Sequence, residues 1–223
     1  MKRFTLAAVL AVLLLGSALP ARAQWLVETS LTSAVYHGHS PADPEPVTLV
    51  QRVGALSLGR TWRWAERSYL QVSLPLELSS TTMSPPHESR ALRGSCRWPQ
   101  LSLQTAAPTI WGPRGLARID LDLGGPHLGV DLGLEGTWDP LLTYATLSFA
   151  PEGPRLKTGV MFAANKRWAL GVHLTYGGLA EANPASSLTY QAYYQSSQGT
   201  AAEVSYTYHL HAAQQRLGFK LLF

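Results

Sequence analysis

The chain has 223 residues, with 18 Lys and Arg against 14 Asp and Glu and a formal charge of +4. Three of the bases, Lys2, Arg3 and Arg22, fall in an N-terminal leader; without them 15 bases meet 14 acids, so the charge balance implies no nucleic-acid partner. A lone cysteine, Cys96, excludes an internal disulfide framework, no Cys/His spacing suggests a metal or cofactor site, and after Gln24 no apolar run reaches the ~18 residues of a membrane-spanning helix.

Lys2 and Arg3 precede an apolar run from Leu6 to Leu15, followed by Gly16, Pro20 and the small-residue site Ala21-Arg22-Ala23. This order of charged, apolar and A-x-A regions predicts a secretory signal peptide over 1–23, cut before Gln24, and a mature domain over 24–223. The apolar run is too short to cross a bilayer core of about 30 Å.

Beyond the leader, the chain reads as strands. The clearest is 69–79, where Leu70, Val72, Leu74, Leu76 and Leu78 alternate with Gln71, Ser73, Pro75, Glu77 and Ser79. The same period of two runs through 117–123, 128–134, 168–176 and 202–210. Weaker strands are predicted at 25–36, 47–64, 98–110, 140–149, 155–164, 187–195 and 215–223, giving twelve in all, with ten the nearest alternative. Turn chemistry separates them throughout, and no helical pattern intervenes. Pro75 removes a ladder donor in mid-strand, which predicts a local bulge or shortened pairing there.

Links at His37–Pro46, Ser80–Arg97 and Gly177–Ser186 are long, whereas those at Ala65–Arg67, Asn165–Arg167 and Gln198-Gly199 are short. This division matches the extracellular loops and periplasmic turns of membrane barrels. With the N-terminus on the periplasmic side, Trp25, Trp62, Trp64, Trp111, Trp138 and Trp168 all fall at one set of strand ends, joined by Phe223; Trp98 alone falls at the other. An indole prefers the headgroup boundary, so these residues form a candidate aromatic girdle. The pattern predicts an all-β, transmembrane, antiparallel up-and-down barrel of about 12 strands in a bacterial outer membrane, with outer-membrane lipid as its surroundings. A secreted β-sandwich or lipocalin-like fold is the alternative. Arg60 fits poorly, because it falls on the lipid-facing parity, where its head must snorkel.

The opposite parity would line a lumen. Its acids are Glu28, Glu77, Asp120, Asp122, Asp131, Glu135 and Glu203; its bases are Arg63, Arg118, Lys157 and Lys220; Gln71, His173 and His209 add neutral polarity. Seven acids against four bases predict a mild preference for cations or neutral polar solutes. A two-residue turn at Gly124-Gly125 would set Arg118 opposite Asp131 and Asp122 opposite His127, cross-strand pairs worth about 0.2–1 kcal/mol each. Two readings stay open for such residues: they brace the wall, or they meet a solute.

Seven histidines raise an enzyme reading, since outer-membrane lipid hydrolases pair a serine with a histidine and a carboxylate. The chain has no G-x-S-x-G elbow, no H-E-x-x-H and no phosphate loop, and no catalytic residue is assigned.

The chain ends Leu217-Gly218-Phe219-Lys220-Leu221-Leu222-Phe223, which resembles the closing strand of outer-membrane proteins, in which a terminal Phe is part of the signal read by the barrel-assembly machinery. From about Gly129 onward the sequence resembles a loosely defined family of outer-membrane channels assigned to the meta-pathway of phenol degradation. The resemblance rests on Asp139-Pro140 with Leu142, Tyr144, Leu147, Ser148 and Phe149, on Gly159–Phe162, on Ala164-Asn165 and on Leu170-Gly171-Val172. It covers less than half the chain. It implies a passive channel or transporter for small polar or aromatic solutes, without naming one. The competing functions are a lipid-modifying enzyme and a structural or adhesive barrel with an occluded lumen.

Overall fold

A computed structural model describes residues 22–40, 43–65, 67–84, 89–109, 112–124, 128–150, 153–177, 186–210 and 213–223. The expected signal peptide lies outside these residues except for Arg22 and Ala23, which open the first strand. Trp111, His87, His127, His211 and Gly125 also lie outside them.

Thirteen strands follow in chain order: β1 (Arg22–Ser40), β2 (Asp43–Ala65), β3 (Ser68–Ser84), β4 (Ser89–Cys96), β5 (Gln100–Pro108), β6 (Arg114–Asp122), β7 (Leu128–Trp138), β8 (Leu141–Ala150), β9 (Gly153–Ala163), β10 (Trp168–Gly177), β11 (Ser187–Gln195), β12 (Ala201–His209) and β13 (Gln214–Leu222). Every pairing is antiparallel, and β13 returns to β1, so the sheet closes into a barrel with no free edge along its wall. Trp25 and Phe223 exchange backbone hydrogen bonds of 2.7 and 3.1 Å at the seam.

The wall has twelve positions rather than thirteen, because β4 and β5 are two halves of one strand. Both pair with β3: Cys96 stands opposite Leu76, and Gln100 opposite Ser73. Leu74 and Pro75 therefore face three residues, Arg97, Trp98 and Pro99, which is a bulge at the position that Pro75 predicts. The Arg97 amide donates to the Pro75 carbonyl at 3.0 Å and keeps the two halves in line.

Two segments expected as loops are strands instead. The Ser80–Arg97 link is a hairpin in which β3 runs on to Ser84 and β4 returns, and the His37–Pro46 link is largely taken up by β1 and β2. Their Ser, Pro and His content suggested loops, but the ladder is made by backbone groups and continues wherever a neighbour is in register. Together β1 to β4 extend beyond the rest of the rim at the end opposite the termini, here the distal end. The end where the termini meet is the terminal end.

The polarity is inverted relative to a soluble fold. Leu31, Leu78, Leu128, Leu132, Leu134, Leu170, Val172, Val204 and Leu217 all lie exposed on the outer face. A water-facing wall with so continuous an apolar surface would aggregate; in a bilayer the same surface is solvated by lipid tails. The buried apolar cluster of the interior lies at the terminal end, where Leu26, Ala201 and Leu222 pack with Tyr193.

Trp25, Trp64, Trp138, Trp168 and Phe223 are exposed at the terminal end. Trp62 departs from them, being fully buried at 0 % exposure. Arg60 explains part of this: its guanidinium lies 5.5 Å from the Trp25 ring centroid and 5.6 Å from that of Trp62. The misfit arginine is thus held by two aromatic faces. Trp98, at the distal end, covers Gly124 so closely that a Cβ there would fall 1.5 Å from the ring.

Candidate functional site: the polar lumen

Alternation along every strand sends the polar parity inward, where it encloses a cavity of about 1080 Å³ toward the distal end. A second cavity of about 430 Å³ lies deeper, and the two share Glu28, Gln71, Arg118, Lys157, Thr175 and Arg216 in their walls. The lumen is therefore a wide outer chamber adjoining a smaller inner one.

Eleven of the expected lumen residues line these chambers. Glu77, Asp120, Asp122 and Asp131 belong to the outer one, His173, Glu203 and Lys220 to the inner one, and Glu28, Gln71, Arg118 and Lys157 to both. Three are placed differently. Arg63, near the terminal end of β2, is in neither chamber wall. Glu135 is buried at the terminal end in an ion pair with Arg67 at 3.3 Å. His209 ends β12 beyond the chamber walls, within electrostatic reach of Arg155 and Arg216.

The sequence reading missed three bases that line the chambers: Arg97, Arg155 and Arg216. Arg97 falls at the end of a link that the sequence pattern makes a loop. Arg155 and Arg216 share parity with Lys157 and Lys220, so the alternation that found the lysines marks them too. With them included, the chamber walls carry six acids and six bases among the described residues, which corrects the expected acidic excess.

The charges are organised by neighbouring strands. Arg118 stands opposite Asp131, as a two-residue turn at Gly124-Gly125 requires, but its Nε binds both oxygens of Asp120, at 2.9 and 3.0 Å. Asp120 also accepts a hydrogen bond from Ser102 across the β5–β6 ladder. Glu77 holds Arg97 at 2.6 Å, which ties the two sides of the β3–β5 bulge together. Near the terminal end, Tyr69 donates to Gln104 at 3.2 Å, and Gln104 donates to the Arg67 carbonyl at 3.0 Å. These bonds brace the β3–β7 side of the wall.

The β8–β13 side is built differently. The Tyr144 hydroxyl is hydrogen-bonded to His173 Nδ1, and Gln191 bonds the same imidazole. Gly159 makes room for this pair, since a Cβ at that position would meet the Tyr144 ring at 2.7 Å. Lys157 Nζ lies 5.8 Å from the centre of the Tyr144 ring, and Thr189 and Thr207 bond across β11 and β12 at 2.9 Å. Lys157, Arg216 and Lys220 enter no salt bridge among the described residues.

His173 thus spends its bonds on Tyr144 and Gln191, and His37 lies 3.3 Å from Thr48. No serine meets a histidine in a hydrogen bond among the described residues, and no group of three or more His, Cys, Asp or Glu is poised to hold a metal there.

No protein-family description and no curated protein matches the chain. Solved structures do. An outer-membrane channel from Pseudomonas putida F1 superposes with a TM-score of 0.54 at 13 % identity, covering 92 % of this chain and 97 % of that one. The translocator domain of the autotransporter NalP from Neisseria meningitidis gives 0.52 at 10 % identity, covering 99 % and 94 %. At such identities the likeness is one of fold, which is that of outer-membrane barrels.

Proposed function

We propose that this chain is a passive outer-membrane channel for small polar or aromatic solutes and not an enzyme. The observation that carries the reading is the pair of adjoining polar chambers inside a closed barrel. A polar interior costs free energy to build, and here Lys157, Arg216 and Lys220 line the chambers without a salt bridge among the described residues, which leaves charged groups facing open volume. The Pseudomonas channel of the same fold and length adds to this reading. Single-channel recording of the refolded protein in a planar bilayer is the test. Steady unitary conductance is expected, and an electrically silent but folded barrel would overturn the reading.

One observation favours the occluded alternative. The terminal end of the lumen is packed with Leu26, Ala201, Leu222 and Tyr193, and Glu135 is buried against Arg67 at the same end. A barrel closed at that end would bind without conducting, which the same recording detects.

The assembly partners belong to this proposal as well. The half-exposed side chain of Phe223 at the seam supports recognition by the barrel-assembly machinery and contact with outer-membrane lipid. Export through cleavage of residues 1–23 predicts Gln24 as the first residue of the mature protein, which N-terminal sequencing checks.

A further inference from the structure

The two chambers differ in charge. Five acids and five bases line the outer one, whereas the inner one has Arg118, Lys157, Arg216 and Lys220 against only Glu28 and Glu203. Arg118 is satisfied by Asp120, and Lys220 stands in register between Glu203 and Glu28. Lys157 on β9 and Arg216 on β13 remain as cations without a salt bridge among the described residues.

Hydroxyl and ring donors lie between them. Thr175 pairs with Lys157 across β9–β10, His173 pairs with Thr189 across β10–β11, and Thr207 stands opposite both Thr189 and Arg216. All of these residues line the same 430 Å³ chamber. A partly buried ammonium and a more open guanidinium at the two ends of a hydroxyl-bearing floor form a site for a small multi-oxygen anion.

We propose that the inner chamber is an anion station, held by Lys157 and Arg216, that takes small oxyanions such as organic carboxylates or phosphate. It reverses the cation preference expected from sequence, and it rests on the channel reading only for its effect on permeation. Binding itself requires only a chamber open at one end.

The test has two arms. In a bilayer under a KCl gradient, the reversal potential of the unmodified protein should give a chloride-to-potassium permeability ratio above unity, and the double variant Lys157→Gln/Arg216→Gln should bring it to unity or below. The charge-conserving pair Lys157→Arg/Arg216→Lys should retain the preference. Cation selectivity in the unmodified protein, or a ratio unchanged in the double Gln variant, would overturn the proposal. If the barrel is silent, the channel reading fails, and calorimetric titration of the refolded protein with inorganic phosphate decides the station separately. Saturable heat that the double Gln variant loses supports it, and no heat from the unmodified protein defeats it. Should the double variant not refold, as judged by heat-modifiable migration, the single Gln variants replace it, each expected to lose part of the preference.

Discussion

Single residues decide how well the wall is made. Trp62 is the largest fully buried side chain among the described residues, and it lies where the sequence pattern expects a lipid-facing ring. Replacing it with Ala should cost about 3–5 kcal/mol, the usual range for emptying a buried aromatic site. Trp168, half exposed beside Tyr194, should cost less on the same change. Urea titration in lipid vesicles, followed by fluorescence, ranks the two, and equal costs would refute the distinction. Alternation along a strand tells which side a residue leaves the backbone, not what covers it afterwards. Parity was therefore legible for Trp62, but burial under Arg60 was not. Gly159 offers a second test. Its Ala variant should lose about 1–3 kcal/mol by pressing on the Tyr144 ring. In the background Tyr144→Ala the penalty should shrink, and a double-mutant cycle with no coupling would show that the close approach is irrelevant.

Strands and turns were the most legible level. Twelve wall positions, the bulge at Pro75 and the register that sets Arg118 opposite Asp131 all follow from period-two alternation and turn chemistry. The hairpin made by the end of β3 and by β4 did not. Its side chains are polar and mixed, and only the presence of a neighbouring backbone makes such a segment a strand. Its position has a measurable consequence. Among the described residues β4 pairs with β3 alone, so its other edge is unpaired there, and Arg93 is exposed. Trypsin added from the distal side should cut at Arg93 while the wall stays intact, giving two fragments that migrate together until heated. Full resistance would mean that the hairpin is covered.

At the level of the whole molecule, fold class was readable from the chain and charge balance was not. The lumen count erred in two ways: Arg97 falls in a segment whose composition suggests a loop, and Arg155 and Arg216 lie at the distal ends of β9 and β13, within the expected strands and on the parity of Lys157 and Lys220, where alternation alone marks them as inward-facing. The β8–β13 cluster of Tyr144, His173, Lys157 and Gln191 was invisible for another reason, since its members come from four strands and meet only on closure. Loss of Phe223 should lower the yield of assembled barrel in cells more than its stability once folded, because the backbone partner Trp25 is a single position at the seam. Comparing outer-membrane yield with urea stability of the same variant separates the two effects, and a parallel fall in both would argue for a purely structural role.

The ladder between β1 and β13 joins Leu26 to Leu222 and Ala34 to Gln214, whereas each other ladder of the wall links near neighbours in the chain. Contact order is therefore low everywhere except at one place, and that place is settled last. Until the final strand exists, the chain is an open curl with two bare margins and one greasy side, an object that pairs readily with any other strand it meets. Loss of β13 would then not weaken the molecule by a twelfth. It would leave backbone groups of β1 and β12 unsatisfied in hydrocarbon, and completion of the ring is all or nothing.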